Sequence, residues 1–242
     1  GARAGVLASL ENPWVYFESN TTGTLNLLEL CKDFEVPKFI LASTSSVYGS
    51  EAERPFSEGS STSRPVSPYA SSKKAAETLT YTYHYTYGLD TTVLRFFTVY
   101  GPAGRPDMSI FLFIRAISEG EPITLRGDGG ERDFTFVDDV ARGAIAAQKP
   151  LGYEIINLGG DRPIAMTDVI GMLEDEIGRK AIVEYAPRPP SDIQATWADI
   201  SRAEQLLGWR PQVSLEEGLR LTVQWYRQNR DWAKELLAPS LS

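Results

Sequence analysis

Tyr69 and Lys73 stand four residues apart in Tyr69-Ala70-Ser71-Ser72-Lys73, a spacing that puts a phenol and an ammonium on one face of a helix. A nearby positive charge favours the phenolate, and a phenolate of lowered pKa can serve as general base toward a hydroxyl proton. Such a pair alone is a weak sign, because Tyr and Lys meet at this spacing by chance in many helices. Its weight comes from company in a fixed order. Upstream lies Ala42-Ser43-Thr44-Ser45-Ser46-Val47-Tyr48-Gly49. Downstream come Leu94-Arg95-Phe96-Phe97-Thr98-Val99-Tyr100-Gly101-Pro102, Gly127-Asp128-Gly129, Arg132-Asp133-Phe134-Thr135 and Val137-Asp138-Asp139-Val140.

These residues need elements to hold them. Residues 38–43 predict a short strand buried on both faces, as in parallel sheets, and residues 43–49 the loop at its carboxyl end. A polar stretch at 51–67 precedes a helix that Ser67 can cap, Pro68 can open and Gly88 can stop after Tyr87. Residues 91–97 predict a second buried strand, and residues 134–147 and 154–158 a helix and a strand returning to the sheet. From about Pro163 a smaller α+β region is expected, ending in an amphipathic helix over 215–232. The alternation gives an α/β fold with a Rossmann-like parallel sheet, whose ligands bind beyond the carboxyl ends of the strands, where Thr44 and Thr98 are expected. The division expected is a dinucleotide-binding part over 1–100, rejoined by 133–158, and a substrate part over 101–132 and 159–242.

Composition narrows the function. The 242 residues can bury a sizeable core, and the single cysteine, Cys31, cannot pair within the chain, so a reducing cytoplasmic setting is expected. No apolar run approaches the roughly 20 residues of a membrane span. A net charge of −8 argues against a broad nucleic-acid surface. His84 is the only histidine, stands without cysteine neighbours and predicts packing rather than a metal site; no metal is expected. Asp138 and Asp139 open a helix, where acids suit the dipole.

The ordered motifs together resemble the extended short-chain dehydrogenase/reductases, the NAD-dependent sugar-nucleotide epimerases and dehydratases. The resemblance implies that Thr44 is the hydroxyl of a Thr–Tyr–Lys triad, Tyr69 the acid/base, and Lys73 the holder of the nicotinamide ribose. It implies Asn20, Ser43 and Phe96 as further contacts of the cofactor NAD, helix capping being the plain alternative for Asn20. Family dehydratases carry Asp-Glu after the active-site Thr, and UDP-glucuronate decarboxylases place Glu where this chain has Ser46; Ser45-Ser46 fits simple 4-epimerisation. The loop from Gly101 to Met108 resembles that of UDP-glucuronate 4-epimerases, apart from Ala103 where those commonly have Trp. In that group the counterparts of Thr98 and Arg105 contact the sugar carboxylate; Ser45 joins them on the substrate side, Arg132 and Arg188 are implied at the diphosphate, and Asp192 at the uridine ribose. The helix carrying the tyrosine run from Tyr81 to Tyr87 commonly forms a dimer contact in the family, so a homodimer is expected.

Family members begin with a strand and a Gly-x-x-Gly-x-x-Gly turn that holds the pyrophosphate, and the 242 residues contain no such turn. Gly1-Ala2-Arg3-Ala4-Gly5-Val6 resembles the segment after the fourth strand, so an N-terminally truncated Rossmann part is expected. Three readings stay open: a UDP-glucuronate 4-epimerase, a UDP-glucose 4-epimerase, and a non-catalytic sugar-nucleotide-binding fragment.

Overall fold

The computed structural model describes residues 2–189 and 193–236. In chain order the strands are β1 (Lys38–Thr44), β2 (Asp90–Phe96), β3 (Thr98–Tyr100), β4 (Pro122–Arg126), β5 (Glu131–Phe136), β6 (Tyr153–Leu158), β7 (Pro163–Ala165) and β8 (Ile182–Ala186). The α-helices are α1 (Val6–Glu11), α2 (Trp14–Tyr16), α3 (Gly23–Asp33), α4 (Pro68–Tyr87), α5 (Ser109–Glu119), α6 (Val137–Ala146), α7 (Met166–Ile177), α8 (Ser201–Leu207) and α9 (Leu215–Ala233), with a π-helical turn over Phe17–Thr22 joining α2 to α3.

Strands β1, β2 and β6 form a parallel sheet in that order, with Thr44 opposite Phe96 and Phe96 opposite Leu158 at the carboxyl ends. Strand β2 is buried from Thr91 to Arg95, while β1 is buried at Leu41, Ser43 and Thr44 and exposed at Ala42. Leu41 and Val93 pack against Ala76 of α4 on one side. Leu94, Ile156 and Leu158 pack with Val47, Phe56 and Trp209 on the other. Each such side chain, fully withdrawn from water, contributes on the order of 1.5–3 kcal/mol. A single residue, Phe97, links β2 to β3, and there the chain leaves the first sheet: β3 pairs with β5, which pairs with β7, while β4 pairs with β8. Helices α5, α7 and α9 pack on these strands in a second apolar core around Phe111, Ile114, Leu173 and Leu219.

Helix α4 has the expected bounds for the expected reasons. Ser67 adopts extended backbone and its hydroxyl accepts from the Ala70 N–H, Pro68 occupies the first turn, and Gly88 ends the helix at φ 71°, a left-handed conformation that costs glycine little. Residues 134–136 depart from the expected helix, because Phe134, Thr135 and Phe136 complete β5 and the helix opens only at Val137. Of the loop expected over 43–49, Ser43 and Thr44 instead complete β1 and Ser45–Tyr48 form a 3-10 turn, whose cap is the hydroxyl of Thr44, which accepts from the Ser46 N–H at 3.1 Å. Asp139 does more than suit a helix dipole. Its carboxylate is fully buried and accepts from the Gln212 and Val213 N–H groups, while its carbonyl accepts from the Trp209 indole at 2.8 Å. His84 packs on Tyr153 and hydrogen-bonds the Leu89 carbonyl.

Replacing Ser67 with Ala should cost about 1 kcal/mol and lower the melting temperature by roughly 2–4 °C for a chain of this size. Replacement by Asp, which also accepts at a helix N-cap, should restore it; calorimetric melts of the two variants check this.

Candidate active site

The turn after β1 and the start of α4 bring Thr44 and Tyr69 together, and one helical turn on, Lys73 faces the same strand end. The Lys73 ammonium is buried and donates to the Ala42 carbonyl of β1 at 2.9 Å. The Thr44 hydroxyl, itself buried, is near enough to draw the Tyr69 phenol down by hydrogen bonding. Two stretches far apart in sequence, the end of β1 and the first turns of α4, thus converge on the carboxyl end of the sheet, where a parallel α/β fold is open to ligands.

The electrostatics differ from the simple expectation that the ammonium lowers the phenol. Burial raises Tyr69 and outweighs the hydrogen bond from Thr44 and the charge of Arg105, which both lower it. Lys73 is pushed down to about 8, again by burial. A dry site disfavours the charged form of each group, so burial favours the neutral phenol at Tyr69 and brings the Lys73 ammonium closer to losing its proton.

Arg105 arrives from the loop after β3. Its guanidinium is held by Asp107 through Nε at 3.0 Å and Nη2 at 2.5 Å, and Nη2 also donates to the Ala4 carbonyl at 3.2 Å. The Tyr16 ring stands edge-on to Tyr69 with centroids 6.1 Å apart, and its hydroxyl donates to the same Ala4 carbonyl at 3.3 Å. At Gly5 a side chain would meet Tyr16 Oη at 3.4 Å and Arg105 Nη2 at 3.5 Å, and the φ of 122° there suits glycine alone.

A cavity of about 590 Å³ runs from Gly5 and Thr98 past Asp107 and Met108 to Arg126 and Arg132. A second of about 210 Å³ adjoins it, lined by Ser45, Ser46, Thr98 and the same two arginines. At the far end Arg132 and Arg188 close on one point: a methyl at position 130 would stand 3.1 Å from Arg132 Nη1 and 3.4 Å from Arg188 Nη2. Arg132 Nη1 donates to the Glu131 and Gln194 carbonyls, and Arg188 pairs with Asp128 of the turn between β4 and β5. Arginine forks gathered at one end of a groove suit a diphosphate.

Of the residues predicted from sequence, Ser45, Thr98 and Arg132 line this groove and Arg188 joins Arg132, while Thr44 adjoins Ser45 in sequence and clusters with Tyr69, Lys73 and Arg105. Asp192 lies outside the described residues. Asn20 is no helix cap. Its side chain lies buried in the π turn, bonded to Arg3 through both amide atoms and to Ser72 Oγ at 2.9 Å, so both Nδ2 hydrogens are engaged and only the second lone pair of Oδ1 remains for a ligand. The Ser43 hydroxyl turns away to donate to Glu77 at 2.7 Å, leaving its backbone to the site. Phe96 ends β2 half-buried beside Thr44.

Sequence reasoning missed Tyr16, Arg126 and Glu77. Glu77 carried a signal, being four residues beyond Lys73 on the face that Tyr69 and Lys73 already define. Arg126 directly precedes the Gly127-Asp128-Gly129 turn. Tyr16 sits in a helical segment that no motif marks.

Whether the site fits NAD is tested by Lys73: an ammonium has three donors and one is engaged by Ala42, so two remain for a ribose diol beside the phenol. The fit holds. Among the described residues no group of three or more His, Cys, Asp and Glu could hold a metal.

The model of the NAD dependent epimerase/dehydratase family matches residues 1–159. The UDP-glucuronate 4-epimerase of Thermodesulfobacterium geofontis is 59% identical over 237 residues, which are 97% of this chain and 73% of that protein. The crystal structure of UDP-glucuronic acid 4-epimerase from Bacillus cereus, in complex with UDP-glucuronic acid and NAD, superposes with a TM-score of 0.90 at 39% identity, covering 94% of this chain and 74% of that one. The UDP-glucose 4-epimerase of Thermotoga maritima, solved with UDP-glucose, gives a TM-score of 0.91 at 33% identity over 95% and 76% of the two chains.

Gly130 has φ 67° and the Gln194 carbonyl packed against it, so Gly130→Ala must move the two arginines or the loop that carries Gln194. The expected outcome is at least tenfold weaker binding of UDP by titration calorimetry, about 1.4 kcal/mol, with unchanged far-UV circular dichroism.

Proposed function

We propose, from the premise that the chain belongs to the NAD dependent epimerase/dehydratase family, that it inverts C4 of UDP-glucuronate to give UDP-galacturonate. It is an NAD-dependent sugar-nucleotide 4-epimerase. The observation that carries the substrate assignment is the guanidinium of Arg105, aimed by Asp107 beside the Tyr69 phenol at the head of the groove.

In this reading Tyr69 takes the proton from the sugar 4-hydroxyl, and the Thr44 hydroxyl orients that oxygen. NAD, when bound, supplies the acceptor and then the donor of the C4 hydride. Lys73, and the backbone at Ser43 and Phe96, would hold its nicotinamide end. The 4-keto sugar turns over, receives hydride on its other face, and Tyr69 returns the proton. Ser45 and Ser46 provide neither the acid nor the base that dehydration or decarboxylation would require. The chemistry also explains an arginine at this place. A 4-keto glucuronate is a β-keto acid prone to lose carbon dioxide, and Arg105, with Thr98, would hold the carboxylate so that the breaking bond stays out of alignment with the ketone. Arg132 and Arg188, with Arg126, would take the diphosphate.

The exposed rings of Tyr81, Tyr85 and Tyr87 on α4 and the apolar side chains of Leu27, Leu30 and Phe34 on α3 support a homodimer through these two helices. One cysteine and no helix, among the described residues, long and apolar enough to cross a membrane fit a cytoplasmic setting.

Tyr69→Phe should lower kcat by about 10²- to 10⁴-fold, the usual contribution of a general base, with UDP binding retained. Arg105→Ala should reduce kcat/KM on UDP-glucuronate at least tenfold more than on UDP-glucose and release decarboxylated product, both followed by chromatography of the nucleotide sugars. Equal losses on the two substrates would remove the carboxylate role.

A further inference from the structure

Glu77 and Arg95 form an ion pair with both side chains 1% exposed, and the reaction as described uses neither. Two charges so far from water are costly to desolvate, and a buried pair of this kind is weak evidence for stability. Its position is more informative. Glu77 lies on α4 four residues after Lys73, so its carboxylate shares a helix face with the ammonium. Lysine and glutamate at that spacing commonly pair, yet here they do not. The Lys73 ammonium reaches sideways to Ala42, while Glu77 is engaged elsewhere.

What engages it is Arg95. Nε donates to Oε1 at 2.9 Å and Nη2 to Oε2 at 2.8 Å, both along the fork of the guanidinium. Arg95 stands opposite Ser43 in the β1–β2 register, and Ser43 donates to the same Oε1 at 2.7 Å. Lys74 approaches Oε2 at 3.3 Å from the half-exposed side of α4. The guanidinium itself rests 4.8 Å from the centre of the Tyr48 ring, whose hydroxyl donates to Asn157. Tyr153 of β6 reaches only the Glu77 backbone carbonyl. On the active-site side, Tyr69 faces Thr44, Tyr16 and Arg105, and Lys73 faces Ala42.

We propose that Arg95 is a positioning residue for the reaction: by neutralising Glu77 it keeps that carboxylate off Lys73, which stays on Ala42 with two donors free. The low proton affinity of Lys73 agrees, since burial alone acts on it and no carboxylate raises it. Were Arg95 removed, the orphaned carboxylate would turn to the nearest cations, Lys74 and Lys73. A unit charge one helical turn away would raise proton affinity at Lys73, and at Tyr69 beyond it, by roughly one to two pH units at an effective dielectric near 20. The role assigned to Lys73 and Tyr69 under the proposed function is the premise of the kinetic part alone.

The test is a double-mutant cycle in Arg95→Met and Glu77→Gln. The ammonium of Lys73 is titrated by carbon-13 NMR in lysine-labelled protein, assigned by loss of its signal in Lys73→Met, without substrate or cofactor. In Arg95→Met the titration should move up by at least one unit. In Arg95→Met/Glu77→Gln it should return to within about 0.3 units of the parent, although the double variant has lost more hydrogen bonds. The acid limb of the kcat/KM profile on UDP-glucuronate should follow the same order. Arg95→Lys, which keeps the charge without the fork, should leave the titration in place, and Arg95→Gln, which removes the charge but can still donate to Glu77, should move it up and stands in if Arg95→Met does not fold. A Lys73 titration unmoved in Arg95→Met, or moved and not restored by the second substitution, overturns the proposal. A restored titration with no matching change in the acid limb would overturn instead the catalytic reading of Lys73 and Tyr69.

Discussion

Desolvation at the carboxyl end of the β1–β2–β6 sheet is the constraint that the rest of the site answers to. The Tyr69 phenol and Lys73 ammonium lie within it together, and burial raises one while lowering the other, so neither charge comes free. Each partner in the site bears on that balance. The Thr44 hydroxyl and the Arg105 charge draw the phenol down, and the Ala42 carbonyl holds the ammonium. Burial wins at the phenol, so under the proposed function a bound ligand would have to add to what Thr44 and Arg105 supply before Tyr69 takes a proton.

The first sheet and helix α4 were legible because local chemistry and tertiary demand agree there. Ser67, Pro68 and Gly88 each have a mechanism that marks a helix boundary, and the apolar residues Phe39-Ile40-Leu41-Ala42 and Val93-Leu94 mark the two strands. Residues 134–136 were not legible. Phe134, Thr135 and Phe136 read equally as the first turn of the following helix, and only pairing with β3 makes them strand. Within the candidate site, only Tyr69 and Lys73 stand at a spacing that itself suggests chemistry, while Thr44, Arg105 and Arg132 were marked by resemblance to family motifs. What failed to appear was the direction of side chains. Asn20 and Ser43 belong to suggestive motifs, yet their polar atoms face Arg3, Ser72 and Glu77, since the π turn and the strand register decide where they point.

The place where the chain passes from one sheet to the other governs how the two ends of a ligand are held. Phe97 alone separates β2 from β3, so Thr98 is tied to the first sheet through one intervening residue and to the second by pairing with Phe134. The catalytic head on β1 and α4 and the arginines around β4 and β5 therefore share a frame at this seam. Changes in the substrate loop between β3 and α5 could alter which sugar is accepted without disturbing the Thr–Tyr–Lys geometry.

Both Arg105 and Arg188 rest against an aspartate from a nearby turn, Asp107 in one case and Asp128 in the other. Under the proposed function these acids would be stand-in anions, holding two long side chains in place in a protein that is acidic overall. An incoming nucleotide sugar would take over existing contacts, and a weakly charged mimic would gain nothing by displacing a carboxylate.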